Sequence, residues 1–316
     1  NGLLSLNTVL GDDNSLTDKL VVKGDTSGYT RVQVNNLGGS GDLTSKGIEV
    51  VQVEGKSGGD FTLEGRAVAG AYDYFLNKGP AQDGNWYLQS QLSTPITPNH
   101  MIIPVYPDEP IVRPEAGAYT ANIAAANTMF VTTLHDRLGE TNYVDMLTGE
   151  EKVTSMWMRN IGGHSAFRDN SSQLKTQSNR YVLQMGGDIA QWGEAGANRT
   201  HLGMMAGYGS NQSNTRSSVT KYSADGSVNG YSVGIYGTWL ENEAEHSGAY
   251  VDSWAQYNWF NNSVKGDDLV SESYKSKGVT ASVETGYTFK TGEFKDSEGR
   301  INTVYVHHQA QAIWMA

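Results

Sequence analysis

The sequence predicts an all-β protein with one helix. The C-terminal end of a parallel β-helix leads, through a Pro-rich linker and a long helix, into an antiparallel transmembrane β-barrel. Three observations predict this. All seven prolines of the 316 residues lie between Pro80 and Pro114, and an Ala-rich stretch follows directly. Ahead of them, short apolar strands recur every 12 to 17 residues, through Val22, Val34 and Val51. Behind them, from Val153 on, segments of 10 to 20 residues alternate in hydrophobicity between short polar turns.

Residues 1–91 read as strands in DKLVVKGD, TRVQVNN, IEVVQVEG, FTLEG, RAVAGAYDYFLN and NWYLQSQ, separated by Gly, Asp, Asn and Ser clusters. The recurrence suits rungs of a β-helix, each turn of chain stacking on the last; a fragment of an ordinary β-sandwich is the alternative. A solenoid needs neighbours or a cap, so further rungs are expected before Asn1. At the other end AYDYFLNKG and DGNWYLQS form a hairpin whose Tyr72, Tyr74, Phe75, Trp86 and Tyr87 are expected to plug the bore.

Residues 92–115 carry the Pro-rich run, which favours extended, semi-rigid backbone. Residues 116–140 are the helix candidate, centred on Gly117 to Leu138, with Pro114 suited to its first turn and Gly139 to its end. At about 1.5 Å per residue it would span on the order of 33 Å, near the thickness of a hydrocarbon core. Asn122, Asn127, Thr128, Thr132, Thr133, Asp136 and Arg137 are too polar to face lipid, so a helix spanning a membrane here must lie inside something hollow.

From Val153 to Ala316 the alternation gives seven candidate strands. In GYSVGIYGTWL, Tyr231, Val233, Ile235 and Trp239 share an apolar face opposite Ser232, Gly234 and Thr238, with Tyr236 a large exception on the polar side. In GVTASVETGYTF, Val279, Ala281, Val283, Tyr287 and Phe289 oppose Thr280, Ser282, Glu284 and Thr288. Tyr231 and Trp239 are spaced as two aromatic girdles would be, about 20 Å apart on a tilted strand, which favours a membrane barrel over a soluble sheet. Glycines inside these strands, Gly203 and Gly207 among them, would make room for an enclosed helix.

A formal net charge of −11 argues against nucleic acid and against anionic lipid surfaces. With no cysteine there is neither a disulfide framework nor a thiolate metal site, as suits a chain that crosses an oxidising compartment unfolded. No run of 18 apolar residues is present, so the sequence holds no transmembrane helix, which leaves a barrel open. His307 and His308 point to opposite faces of one strand and cannot share a metal. Gly38-Gly39-Ser40-Gly41 lacks the context of a phosphate cradle. Neither a metal nor a cofactor is expected.

The succession LVVKGDTSGYTRVQV, IEVVQVEG, GAYDYFLNKG and NWYLQS, then RPEAGAYTANIAAANTMFVTTLHDRLGE, then MWMRNIGGHSAF and NGYSVGIYGTW resembles the C-terminal part of classical monomeric autotransporters of Gram-negative bacteria, nearest the branch of diffuse-adherence adhesins. The resemblance covers essentially the whole chain. It implies type V secretion: the pertactin-like β-helical end over 1–91 is an extracellular autochaperone, 92–115 a spacer, 116–140 a pore helix containing Ala121, Ala125, Asn127 and Arg137, and 153–316 an outer-membrane barrel. It implies outer-membrane lipid, the barrel-assembly machinery and the chain's own passenger as partners, with a host-cell surface reached through upstream rungs. The family barrel has twelve strands and an aromatic last residue, whereas about seven strands and Trp314-Met315-Ala316 stand here, so an incomplete barrel is expected. A surface adhesin fragment mediating cell adhesion or aggregation, with virulence as its setting, or a self-cleaving outer-membrane protein, is the alternative function.

Strand parity sends Asp188 and Glu284 into the pore, and charge assigns Arg159 and Asp252 there. Two carboxylates near an extended peptide are an acid-base pair in outline. In self-cleaving autotransporters lumenal acids act on an Asn-Asn junction; Asp252 and Glu284 resemble two such positions, but the third is Gln311, and Asn127 has no Asn beside it. The favoured reading is therefore structural: these carboxylates bind the pore helix and its Arg137 or solvate the lumen, and no enzyme activity is expected.

Overall fold

The computed structural model describes residues 2–79, 83–91, 109–137, 141–144, 151–193, 198–242, 247–295 and 298–316. The expected linker over 92–115 thus lies mostly outside the described residues, as do the last residues of the expected helix.

The N-terminal part is a two-sided β-helix. β1 (Gly2–Thr8), β3 (Tyr29–Asn36) and β5 (Asp60–Leu63) pair in parallel, and β2 (Leu20–Val22) pairs in parallel with β4 (Ile48–Val53). The 12-to-17-residue recurrence therefore marks alternate walls, and one rung takes two strands. Register stacks like on like: Leu4 on Val32 on Leu63, Leu20 on Val51, Val22 on Val53. Leu4, Leu20, Val32, Val51, Val53 and Leu63 merge with Leu6, Val50, Phe61 and Leu88 in one apolar core, each buried aliphatic or aromatic side chain contributing about 1.5–3 kcal/mol. Lys19–Glu49, Lys23–Glu54 and Arg31–Glu64 ion pairs bridge successive rungs on the outside. Exposed pairs of this kind are worth about 0–1 kcal/mol, so the core holds the stack.

β6 (Ala67–Ala69), β7 (Tyr72–Lys78) and β8 (Trp86–Gln89) close it as an antiparallel cap, β8 also pairing with β4. Alternation divides the expected plug residues. Tyr74 and Trp86 enter the core and Tyr72 packs against it, whereas Phe75 is only half-buried outside it. Tyr87 is buried on the polar side, its hydroxyl donating to Asp83 at 2.7 Å with Glu49 Oε2 2.9 Å away. Residues 110–112 return along the cap: Ile111 N–H donates to Ser90 O at 2.8 Å and Asp73 N–H to Ile111 O at 3.0 Å.

Helix α1 (Pro114–Thr128) starts with proline in its first turn, where a missing N–H costs nothing. It ends ten residues before the expected Leu138, a correction to the sequence reading whose cause lies in the barrel wall. A short hairpin, β9 (Thr141–Val144) with β10 (Glu151–Thr154), precedes the meander; no element is expected over β9, and β10 takes in Val153 and Thr154, the start of the first expected strand.

The seven expected strands form one antiparallel meander: β11 (Trp157–Arg168), β12 (Leu174–Gly193), β13 (Arg199–Ser217), β14 (Ser223–Leu240), β15 (Gly248–Gly266), β16 (Glu272–Lys295) and β17 (Ile301–Met315), each paired with the next. Among the described residues β11 and β17 are its edges. In β15 Tyr250, Asp252, Trp254, Gln256, Asn258, Phe260 and Asn262 are buried, while Val251, Ala255, Tyr257 and Trp259 between them are exposed. The sheet is thus polar where it curls around α1 and apolar outside, the inverse of a soluble sheet and the pattern of a barrel in lipid. Tyr208, Tyr231 and Trp259 lie in register across three strands, with ring centroids 5.3 and 6.0 Å apart, and form part of an aromatic girdle.

Candidate functional site: a pore segment held by the barrel wall

The small-residue face of α1 lies on the inner wall. Ala118 packs with Ala224 and Val264, and Ala125 with Val182, Val228 and Phe260. Asn122 donates to Ser263 O at 3.1 Å. Ala121 is buried, whereas Asn127 is exposed.

Beyond Thr128 the backbone leaves the helix because the wall competes for its carbonyls. Phe130 O accepts from Gln184 Nε2 at 3.1 Å and Gln256 Nε2 at 3.0 Å. Val131 O accepts from Arg159 Nη1 at 2.8 Å, and Thr132 O from Trp254 Nε1 at 3.0 Å and Gln311 Nε2 at 2.9 Å. Five side chains thus satisfy three successive carbonyls. The β-branched run Val131-Thr132-Thr133 gives up little by leaving the helix. Met129 and Phe130 anchor the segment in the apolar wall, Phe130 stacking on Phe260 with centroids 5.9 Å apart.

Charged groups grip the residues from Leu134 to Arg137. Leu134 N–H donates to Glu284 Oε2 at 3.2 Å, and Glu284 Oε1 accepts from Tyr250 at 2.8 Å. Arg137 donates to Asp252, whose other oxygen accepts from Thr238 Oγ1 at 2.6 Å. The guanidinium carbon of Arg137 lies 4.5 Å from the ring centre of Tyr236, a cation–π contact. The Tyr236 hydroxyl donates to Asp188 at 2.6 Å and receives the Trp157 indole N–H at 3.3 Å. Asp188 also accepts from Gln191 and meets His201 Nδ1 at 2.7 Å. Arg159 completes the ring with Asp136, 3.5 Å away.

Arg159, Asp188, Asp252 and Glu284 therefore converge on one nine-residue stretch, Met129–Arg137, or on the side chain that buttresses it. Asp252 and Glu284 are fully buried with main-chain and side-chain partners, and among the described residues no hydrogen bond joins them to exposed Asn127. Glu284 and Asp252 are thus both engaged in holding the stretch Met129–Arg137. Gln184, Gln256 and Trp254 escape sequence reasoning, since a lumenal glutamine looks like any polar inward residue. Tyr236 does carry a signal, as the one bulky residue on its polar face.

A second buried charge cluster joins cap, helix and barrel. Arg66 pairs with Asp73 at 2.8 Å and with Glu115, in the first turn of α1, at 2.7 Å. Burial, opposed by Arg66 and Arg113 and reinforced by Glu115, pushes Asp73 up to about 6 from its ordinary 3.8. A carboxyl raised on folding binds more protons folded than unfolded. Its contribution is fully present below its unfolded value and is lost as pH rises through about 6. The β-helical end should accordingly show a higher urea midpoint at pH ~5 than at pH ~7.5, and Asp73→Asn should shrink that difference. Circular dichroism of the chain in detergent measures it; an unchanged difference would exclude Asp73 as its source.

The sequence matches the autotransporter beta-domain family over residues 156–311 and the autochaperone domain type 1 family over residues 1–76. The uncharacterized protein YdeU of Escherichia coli (strain K12) is 54% identical over 323 residues, spanning 100% of this chain and 69% of YdeU. The autotransporter adhesin AIDA-I of Escherichia coli is 39% identical over 316 residues, spanning 99% of this chain but 24% of the adhesin. The uncharacterized protein YuaQ of the K12 strain is 59% identical, with 23% of its length covered. The chain thus spans about a quarter of the length of two of these relatives. The crystal structure of the transport unit of AIDA-I superposes with a TM-score of 0.57 at 35% identity, covering 64% of this chain and 62% of that one. A curled antiparallel sheet with an apolar outer face, a helix on its inner wall and a β-helical end ahead of it agrees with both matched families. The chain belongs to the autotransporter family, joining an autochaperone domain to an autotransporter beta-domain.

Proposed function

We propose that this chain exports its own β-helical passenger through the β-domain and starts the passenger's folding from residues 1–91 on the cell surface. The observation that carries the reading is the non-helical segment Met129–Arg137, bound through main-chain carbonyls by Arg159, Gln184, Trp254, Gln256 and Gln311. This is how a chain that has been drawn through a barrel would come to rest in it. The stacked rungs supply an edge on which the preceding rung can pair, so folding outside can propagate along the passenger. Outer-membrane lipid would cover the apolar band of Val233, Ile235, Val251 and Tyr257, and the barrel-assembly machinery would be the partner during insertion. The reading requires no catalytic step.

Limited proteolysis of cells expressing the chain with a tag before Asn1 tests it. The expected result is loss of the tag from intact cells with protection of a fragment from about Ala118 onward. A tag cut only after the outer membrane is opened would overturn it.

A further inference from the structure

We propose that the rim of the barrel carries a receptor pocket for the Arg66 guanidinium, which docks the last rung of the passenger's β-helix and fixes the register at which the exported chain stops. This rests on the proposed export function and adds what ends the movement.

Arg66, just before β6, enters a site built jointly by the cap, the start of α1 and the barrel rim. Its side chain is 1% exposed. Asp73 in β7 takes two of its nitrogens and Glu115 in α1 takes two, at 2.7 to 3.1 Å. The Asp267 carbonyl, in the turn after β15, accepts at 3.0 Å, and the ring of Tyr222, just before β14, lies 4.4 Å from the guanidinium carbon. Carboxylate fork, carbonyl and aromatic face together are the chemistry of a guanidinium site, which a lysine could not fill. Gly266 leaves the space: a Cβ there would stand 1.7 Å from Glu115 Oε1. An independent contact lies beside it. The side-chain amide of Gln173, in the turn between β11 and β12, donates to Pro110 O at 2.7 Å and accepts from Val112 N–H at 3.3 Å. It thus grips the segment 110–112 that lies along the cap.

Arg66 and Asp73 belong to the cap that closes the passenger's last rung, Glu115 to the pore helix, and Tyr222 and Asp267 to the barrel. They can meet only when the rung is folded beyond the barrel mouth and the helix start has reached it. One step earlier or later, Glu115 is out of reach, and a buried guanidinium would lack half its counter-charge, a penalty steep enough to define a stop.

The chain has no cysteine, so nitroxide labels at Lys56→Cys and Val270→Cys report the distance between β-helix and rim without interference. Electron–electron double resonance in outer membranes should give a narrow distribution in the parent. It should give a broad one in Gly266→Val, which blocks the pocket from the barrel side and leaves the β-helix sequence untouched. Glu115→Gln and Arg66→Lys should broaden it as well. Removal of the N-terminal tag from intact cells should persist in all three, separating loss of docking from loss of export. A distribution as narrow in Gly266→Val and Glu115→Gln as in the parent would overturn the proposal, as would a broad distribution in the parent.

Discussion

Replacing Asp252 with leucine should cost the folded barrel about 3–5 kcal/mol, because it removes the carboxylate and leaves the cation in place. Arg137 keeps 6% of its surface exposed and Asp252 none, so the abandoned guanidinium cannot turn to water without dragging the pore segment out. Thr238 loses its acceptor at the same time. The double variant Asp252→Leu with Arg137→Met should recover most of the loss, since a buried ion pair replaced by apolar groups of similar volume is close to neutral. The measurement is the temperature at which the compact, fast-migrating form in detergent gels converts to the unfolded form. The single variant should fall well below the parent and the double variant near it. A single variant as stable as the parent would show that Arg137 is not held by this carboxylate. Trypsin supplies a second reading, since Arg137 is a cleavage site that should become accessible only in the single variant.

The sequence made the outer face of the barrel legible and its inner face only in outline. Alternation is imposed by lipid on every strand, so Tyr231, Val233 and Ile235 announce their face without any knowledge of their neighbours. The rungs are legible for the same reason, repetition, though not their two-strand period, because Val22, Val34 and Val51 lie on alternating walls. The end of α1 was not legible. Nothing in Met129–Arg137 forbids a helix; what ends it are donors from Arg159, Gln184, Trp254, Gln256 and Gln311, which the fold brings in from distant strands. Local propensity loses to those contacts. Arg66 and Asp73 were equally hidden. They sit in RAVAGAYD, the start of an expected strand whose charges would ordinarily face solvent, and only the packing of cap on rim buries them.

Gly203 shows how a glycine read merely as room for a helix acquires one specific tenant. A Cβ there would stand 2.2 Å from Cζ of Tyr236 and 2.4 Å from its hydroxyl oxygen. That ring cannot yield cheaply. Its hydroxyl is tied to Asp188 and Trp157, its face carries Arg137, and it packs in a cluster with Trp157, Met205 and Trp254. Gly203→Ala must therefore displace Tyr236 from all of these together. The expected loss exceeds the ~1–3 kcal/mol of ordinary overpacking and approaches the ~3–5 kcal/mol of deleting a large aromatic side chain. A thermodynamic cycle with Tyr236→Ala isolates the cause. If Gly203 acts by seating the ring, the double variant should be no less stable than Tyr236→Ala alone, because the methyl group then occupies space the ring has vacated. Losses that simply add would mean that Gly203 is needed by the backbone of β13 itself. Small losses in both single variants would mean that Asp252 holds Arg137 without help from the aromatic face.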